Sequence, residues 1–227
     1  MDIKHAVISA AGLGSRLGLD MPKCLVELEG HCLIYYLLKL LRDVPDIRIV
    51  VGFKEQQVID YVRAIRPDVT FVRNANYANS TNAYSLHLAT KHLTEPYLSI
   101  DGDMYVEPES FLRFAEACAR HRNLIGISRS FTEEAVFVEL DEQQKMIQGF
   151  RRKPSAEFEW CGVAYFSDLK VSPKANFVYN EIESMLPIAA EVVDVFEIDT
   201  PQDLDYLYRN FNRDKQMEYF GQTESQS

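Results

Sequence analysis

The first half of the chain alternates between short apolar runs and longer amphipathic or apolar segments. The short runs are typical of buried strands, and segments with apolar residues every three or four positions are typical of helices. This alternation favours an α/β fold in which a mostly parallel sheet is covered by helices on both faces. The predicted strands are 5–9, 47–51, 69–72 and 97–100, and the predicted helices are 31–41, 55–65, 83–92 and 108–120.

The pattern changes after residue 123, where apolar runs follow one another with only short polar breaks. This spacing is typical of a β-meander and predicts a smaller, β-rich subregion over about 124–190. The polar segment 214–227 is expected to be a flexible tail, so that 1–213 form a single domain. The predicted strands here are 124–128, 135–140, 146–150, 160–166 and 191–197, and the predicted helices are 176–186 and 201–211.

The composition excludes several classes of protein. The chain has 227 residues, 47% of them hydrophobic, which suffices for one sizeable core. Its formal net charge of -10 is unfavourable for general nucleic-acid binding, which needs a basic face. The four cysteines lack the spacing of a zinc site or a disulfide framework. Neither a signal peptide nor a membrane-spanning run is recognisable, so a cytoplasmic protein is expected.

A glycine-rich segment, Ala10-Ala11-Gly12-Leu13-Gly14-Ser15-Arg16, follows the first predicted strand. A glycine turn that leaves a strand presents backbone N–H groups, which favour anions. Arg16 and Lys23 add positive charge suited to several phosphate groups. The segment therefore predicts a triphosphate cradle whose cations also stabilise charge that develops during transfer.

Three other interpretations of this segment compete with the triphosphate cradle. A dinucleotide-binding fingerprint needs its third glycine one position before Gly18, and no P-loop motif is present. The third interpretation, an ordinary glycine turn with surface cations, is not excluded by the sequence.

Asparagines are concentrated in the segment 74–86, after the third predicted strand. Asparagine offers both donors and acceptors, which suits the reading of a base edge or a ribose. The alternative is a turn followed by a helix cap, since Asn and Ser favour both.

Carboxylates follow two predicted strands. Asp101 and Asp103 come after the fourth strand, and ligands of open α/β sheets bind at the carboxyl ends of strands. Strand alternation places Glu197 and Asp199 on one face. Mg²⁺ prefers a few carboxylates together with phosphate oxygens. An Asp-Gly turn at 101–102 and a capped helix start near Asp203 are the structural alternatives.

Aromatic and charged residues are grouped in the second half of the chain. Trp160, Tyr179 and Glu181 together suit an ammonium group, because aromatic faces and carboxylates both attract cations. Packing in the core of a second lobe is the alternative. Lys153 is the basic residue we expect at an acceptor phosphate, although a charged turn remains open.

Two motifs resemble those of known enzymes. The glycine segment, followed by Pro22-Lys23-x-Leu25, resembles the signature of nucleotidyltransferases that join a nucleotide to a sugar phosphate or an alcohol phosphate. The asparagine segment resembles the N-x-x-Y-x-x-x-N-N-x-x-S-L element of bacterial choline-phosphate and phosphonate cytidylyltransferases. Thr81 departs from that element, since it stands where the first paired asparagine is usual. The matching residues are Asn74, Tyr77, Asn82, Ser85 and Leu86.

The resemblance implies a Rossmann-like domain with a small β-rich acceptor-binding insertion. It implies transfer of CMP from CTP to a phospho-alcohol or phosphonate, of the phosphocholine or 2-aminoethylphosphonate type, with release of pyrophosphate. Arg16 and Lys23 would be catalytic, and Asp103 and Asp199 would hold Mg²⁺. The implied nucleotide-binding residues are Ala10, Ala11, Gly12, Gly14, Asn82, Ser85 and Asp101. The implied acceptor-binding residues are Lys153, Trp160, Tyr165, Tyr179 and Glu181.

Other functions stay open at this point. A sugar-1-phosphate nucleotidyltransferase using UTP, dTTP or CTP shares the cradle, although the chain is short for that subgroup. A glycosyltransferase of the same sheet architecture would use Asp101-x-Asp103 and would not need the cradle, whereas a nucleotide sensor would not need the metal acids. The expected partners are CTP and its acceptor, with no nucleic acid and no membrane, and a homodimer is left open.

Overall fold

A nine-stranded sheet forms the centre of the computed structural model, which describes residues 2–130, 135–211 and 219. The strands are β1 (His5–Ala10), β2 (Glu27–Leu28), β3 (His31–Cys32), β4 (Asp46–Val51), β5 (Thr70–Arg73), β6 (Tyr97–Asp101), β7 (Met104–Val106), β8 (Asn123–Arg129), β9 (Phe137–Leu140), β10 (Met146–Arg151), β11 (Phe158–Phe166), β12 (Ile188–Val192) and β13 (Val195–Glu197). The helices are α1 (Leu33–Leu40), α2 (Glu55–Ile65), α3 (Asn82–Thr90), α4 (Pro108–Cys118), α5 (Val178–Ile182) and α6 (Pro201–Asn210).

The sheet is parallel in its first half and mixed in its second. Its strand order is β5-β4-β1-β6-β11-β8-β12-β10-β9, and the pairs β5–β4, β4–β1 and β1–β6 are parallel. Strand β11 is antiparallel to β6 and β8, and it also pairs antiparallel with β9 at Glu159. Parallel neighbours need long crossovers, whereas the turn between β9 and β10 is too short for one, so these strands pair antiparallel. The meander predicted as a smaller lobe thus extends the central sheet.

Helices cover both faces of the sheet, as the α/β pattern predicted. One core contains buried residues of α1, α2, α4 and α6, and the other contains residues of α3 and α5. Helix α1 buries seven of its eight residues, which explains why its sequence is apolar nearly all round. Within the described ranges, none of the helices has the length and apolarity needed to cross a bilayer.

The predicted strand 191–197 is wrong, because the structure divides this stretch between two sheets. Strand β12 lies in the central sheet, and β13 pairs antiparallel with β7 in a separate two-stranded ribbon. The break contains neither Gly nor Pro, and the single polar residue Asp194 is too weak a signal to divide the strand in the sequence pattern. At the break, the Asp194 carbonyl accepts a hydrogen bond of 2.9 Å from the Glu107 N–H. The predicted helix 176–186 is likewise shorter, since α5 is followed by a single 3₁₀ turn, Glu183–Met185.

The division into one domain, 1–213, stays a prediction. The predicted flexible tail lies outside the described residues, apart from Tyr219.

Gly52 is the position where the loop after β4 comes closest to two other segments. A Cβ at Gly52 would lie 2.6 Å from the Tyr77 Cβ and 2.8 Å from the Ala11 carbonyl oxygen. We therefore predict that Gly52→Ala lowers the free energy of unfolding by about 1–3 kcal/mol, measured by urea denaturation. Gly12→Ala is the matched control, because a Cβ there meets nothing within 4 Å. Equal stability of the two variants would contradict this account of the loop packing.

Candidate functional site

A cleft lies at the carboxyl ends of β1 and β6 and contains about 700 Å³ of empty space, part of it open to solvent. This is where open α/β sheets bind their ligands. Its walls come from the glycine-rich segment, the asparagine-rich segment, the end of β6 and the residues after β13. The lining residues are Ser9, Ala11, Gly12, Arg16, Lys23, Asn74, Tyr77, Ser80, Thr81, Asn82, Ser85, Asp101, Asp103, Glu197 and Asp199.

The glycine-rich segment turns sharply because two of its glycines adopt the left-handed conformation. Gly14 has φ +61° and Gly18 has φ +71°, and they flank the 3₁₀ turn Ser15–Leu17. A Cβ at Gly14 would also lie 2.9 Å from the Lys23 Cγ. Glycine at this position therefore leaves room for the stem of Lys23 on its way into the cleft.

Lys23 joins two carboxylates at the centre of the cleft. Its Nζ donates to Asp103 Oδ2 at 2.9 Å and also to Asp199 Oδ1. Arg16 Nη2 lies 2.8 Å from the other oxygen, Asp199 Oδ2. Burial lowers the pKa of Lys23, but the charges and hydrogen bonds of Asp103 and Asp199 outweigh it, so the pKa is raised. Lys23 is therefore held in its charged form.

A third carboxylate, Glu197, lies beside this pair. Single carboxylate oxygens of Asp103, Glu197 and Asp199 all lie within 4.8 Å of one another. Loss of hydration and the negative charges of Asp103 and Asp199 raise the pKa of Glu197 to about 8. The side chain of Glu197 keeps contact with solvent, so the neighbouring charges are the cause that the geometry supports directly. Three hard oxygen donors facing one space fit Mg²⁺, which prefers such ligands.

The β7–β13 ribbon explains why the carboxylates meet. It pairs Glu197 with Met104, and the Ile198 N–H donates to the Asp103 carbonyl at 2.9 Å. The sequence prediction named Asp103 and Asp199 as the metal pair and left Glu197 out of it. The E-x-D alternation at 197–199 was the available signal.

Asp101 lies at the floor of the cleft. Burial and the nearby charge of Asp103 raise the pKa of the Asp101 carboxyl to about 7, although Lys23 opposes the shift. Gly162, with φ +78°, gives this carboxylate its space, because a Cβ there would lie 2.8 Å from Asp101 Oδ2. Ala10, one of the predicted nucleotide-binding residues, does not line the cleft. Its side chain belongs to the hydrophobic core on the other side of β1.

The asparagine-rich segment is held together by Asn74, which is only 1% exposed. Its Nδ2 donates to Ser80 Oγ at 2.9 Å and to Ser85 Oγ at 3.0 Å. Thr81 donates through Oγ1 to the Ala175 carbonyl at 3.3 Å, so this departure from the asparagine motif anchors the segment. Asn82 is exposed at the start of α3 and lines the cleft.

The predicted acceptor residues do not line this cleft. Trp160 and Tyr179 both pack against Phe150, with ring centroids 6.5 and 6.2 Å away. Phe177 stacks on Tyr179 at 5.5 Å, and the Arg152 guanidinium lies 4.9 Å from the Phe177 centroid. We call these five residues the aromatic cluster. Lys153 is exposed and Glu181 is half-buried, and neither is among the residues lining the cleft.

Tyr165, the remaining predicted acceptor residue, also lies away from the cleft. Tyr165 pairs with Leu98, three residues before Asp101, which places it about 10 Å along the strand from the cleft. It lines a separate surface pocket with Arg120 and Arg122. Strand β11 is antiparallel to β6, so only its first residues approach the carboxyl end of β6. The antiparallel direction of β11, which its sequence does not predict, therefore places Tyr165 away from the cleft.

The chain is similar to known proteins in both sequence and fold. A family model described as the MobA-like NTP transferase domain matches residues 6–148. The bifunctional protein GlmU of Methanococcus vannielii is 24% identical over 187 residues, which cover 80% of this chain and 43% of that protein. GlmU of Aquifex aeolicus is 42% identical over 58 residues, 25% of this chain and 12% of that protein. The chain spans less than half the length of these curated relatives.

Solved structures share the fold over nearly the whole chain. The inositol-1-phosphate CTP transferase from T. maritima superposes with a TM-score of 0.75 at 22% identity, covering 92% of this chain and 95% of that one. The CTP:phosphocholine cytidylyltransferase LicC from Streptococcus pneumoniae gives a TM-score of 0.74 at 25% identity, covering 92% and 100%. The predicted Rossmann-like α/β fold is thereby confirmed.

The bridge formed by Lys23 predicts how the carboxylates bind a divalent cation without nucleotide. Because the ammonium group neutralises Asp103 and Asp199, its removal by Lys23→Ala should tighten Mn²⁺ binding about 3–10-fold, measured by electron paramagnetic resonance. Lys4→Ala removes the same charge from an exposed pair with Glu95 and should leave Mn²⁺ affinity unchanged. If Lys23→Ala bound Mn²⁺ no better than Lys4→Ala, the carboxylates would not be the cation site.

Proposed function

This chain belongs to the MobA-like NTP transferase family, and from that premise we propose that it is a Mg²⁺-dependent cytidylyltransferase. It transfers CMP from CTP to a small phospho-alcohol or phosphonate, of the phosphocholine or 2-aminoethylphosphonate type, and releases pyrophosphate. The observation that carries the proposal is the meeting of Lys23 and Arg16 with the carboxylates of Asp103 and Asp199 in one cleft. Cations for a triphosphate and acids for a metal are what nucleotidyl transfer requires.

In the proposed reaction, an oxygen of the acceptor phosphate or phosphonate attacks the α-phosphorus of CTP. A new O–P bond forms as the bond from the α-phosphorus to the bridging oxygen breaks, and that electron pair leaves with pyrophosphate. The attacking oxygen is already ionised at neutral pH, so no side chain has to remove a proton. Catalysis then consists of positioning and charge stabilisation.

The residues of the cleft have separate roles in the proposed reaction. Lys23, which its carboxylates keep charged, and the more exposed Arg16 bind phosphate oxygens and stabilise charge that develops on them. Asp103 and Asp199, with Glu197 beside them, would hold Mg²⁺, which supplies further positive charge to the phosphates when bound. The nucleoside is proposed to lie between the backbone of the glycine-rich segment, at Ala11, Gly12 and Gly14, and the side chains of Asn82, Ser85 and Asp101.

Cytidine is favoured over other bases by the order of residues in the asparagine-rich segment. It is also favoured by the names of two structural neighbours, a CTP transferase and a CTP:phosphocholine cytidylyltransferase. A contact of the acceptor with Lys153, Trp160, Tyr179 and Glu181, a homodimer and a cytoplasmic location all stay predictions.

Pyrophosphate release tests the proposal when the four NTPs are crossed with phosphocholine, 2-aminoethylphosphonate, inositol 1-phosphate and glucose 1-phosphate in the presence of Mg²⁺. We predict release with CTP and an amino-alcohol phosphate or aminophosphonate. Lys23→Ala should lower kcat/KM about 10²–10³-fold, because it removes a charge-stabilising group. Lys4→Ala is the matched control and should leave kcat/KM unchanged.

Two outcomes would contradict this proposal. Release only with UTP or dTTP and glucose 1-phosphate would keep the reaction class and overturn the choice of base and acceptor. Near-normal turnover by Lys23→Ala would overturn the role of the cleft.

A further inference from the structure

A second cavity adjoins the cleft at the metal-binding carboxylates. We call it the rear cavity. It contains about 870 Å³ of empty space, part of it open to solvent, and Glu197 and Asp199 line both it and the cleft. Its other walls come from the end of β8 at Ser128, the start of β11 at Glu159, and the ring pair Phe196 and Tyr206. No local sequence pattern predicts this cavity, because its lining residues come from three distant stretches of the chain, at 128, 159–161 and 195–206.

The position of the rear cavity suits an acceptor. If the triphosphate occupies the cleft, an acceptor must bring one phosphate oxygen to the α-phosphorus near Asp103 and Asp199. A molecule that reaches those carboxylates from the rear cavity would approach from the side that the nucleotide leaves open. Its organic group would then lie against Glu159 and Tyr206.

The hydroxyl group of Ser128 points to a ligand in this cavity. Ser128 is only 3% exposed, and its Oγ finds no hydrogen-bond partner among the described residues. A buried hydroxyl without a partner costs about 1–3 kcal/mol, so native structures rarely leave one unsatisfied. The oxygen itself is closed to solvent, so a polar molecule in the rear cavity would provide the missing partner after a small shift of the cavity wall.

The charge of the walls selects the kind of organic group. The acidic lining residues are Glu159, Glu197, Asp199 and Asp203, and none of the described lining residues is a lysine or arginine. Of these acids, Asp199 is already paired with Lys23 and Arg16. The rings of Phe196 and Tyr206 lie 6.0 Å apart and add aromatic faces. Carboxylates and aromatic faces both attract cations and both disfavour an anion. The phosphate end of an acceptor must therefore stay near Lys23 and Arg16, with a cationic end inside the cavity.

The aromatic cluster is less suited to this role. The Arg152 guanidinium already lies 4.9 Å from the ring centroid of Phe177 and 5.6 Å from that of Tyr179. A second cation on these rings would meet the charge of Arg152 at close range. The cluster is also absent from the lining of either cavity.

We propose that the rear cavity receives the ammonium group of the acceptor, with Glu159 and Tyr206 as its specificity-determining residues. This inference rests on the proposed function, since it identifies where that reaction's acceptor binds and why its organic end is cationic. It moves the ammonium site from Trp160, Tyr179 and Glu181 to the opposite side of β11.

Binding measurements test the inference without relying on turnover. The full chain is titrated calorimetrically with phosphocholine and with its isostere 3,3-dimethylbutyl phosphate, in which an uncharged tert-butyl group replaces the trimethylammonium group. Both titrations contain Mg²⁺ and a CTP analogue with a methylene bridge between the α- and β-phosphorus atoms. We expect wild-type protein to prefer phosphocholine about tenfold, because only phosphocholine carries a quaternary ammonium group. Glu159→Gln should reduce this preference to about twofold while leaving the affinity for the isostere unchanged. Glu95→Gln, on the far surface, is the matched control.

Tyr206→Leu provides a second variant if Glu159→Gln fails to fold, because Tyr206 is 48% exposed on α6. It should weaken phosphocholine binding about 3–10-fold. The inference is overturned if wild-type protein does not prefer phosphocholine, if both variants bind it like wild type, or if Glu181→Gln rather than Glu159→Gln removes the preference.

Pyrophosphate release separates this inference from the proposed function. Selective, Glu159-dependent binding without release would support the cavity and contradict the reaction. If CMP is transferred to phosphocholine but both rear-cavity variants bind phosphocholine like wild type, the reaction is supported and the rear cavity is contradicted as the ammonium site.

Discussion

The ion pairs of Lys23 are the interaction on which the rest of the site depends. They connect the segment after β1 with Asp103, 80 positions later, and with Asp199, 176 positions later. A half-buried ammonium between two carboxylates is stable only if all three groups are fixed in place, because each loses hydration on entering the cleft. The surrounding fold therefore has to position three distant segments within hydrogen-bonding distance of one another.

Each partner of Lys23 is positioned by a separate local device. Gly14 leaves room for the lysine stem, and the β7–β13 ribbon places the residues after β13 beside Asp103. Helix α6 begins with a capping box, in which Asp203 Oδ2 accepts from the N–H groups of Thr200 at 2.7 Å and of Asp199 at 3.1 Å. The helix cap thus also fixes the backbone of Asp199. The same carboxylates separate the cleft from the rear cavity, so a nucleotide and an acceptor could meet at them from two sides.

Much of this arrangement was predictable from local patterns. The strands and helices of the first half have clear periodicity. Gly12, Lys23, Asp103 and Asp199 occur in short motifs whose chemistry can be inferred without a structure. The features that local patterns did not predict depend on the order and direction of the strands. The split between β12 and β13 carries no glycine or proline, and the antiparallel direction of β11 carries Tyr165 away from the cleft. Ser128, Glu159 and Tyr206 meet only through the sheet order, so no local pattern could have joined them.

Calorimetric binding of CTP to wild-type protein and to Asp199→Asn, each with Mg²⁺ and with a chelator, is the most direct test of the site formed by Lys23, Asp103 and Asp199. If Lys23, Asp103 and Asp199 form a site for a metal-bound triphosphate, wild-type protein should bind CTP at least tenfold more tightly with Mg²⁺ than without it. Asp199→Asn should lose that difference, because the variant lacks one of the metal-binding carboxylates. CTP binding of equal strength in all four experiments would contradict the assignment of this cleft.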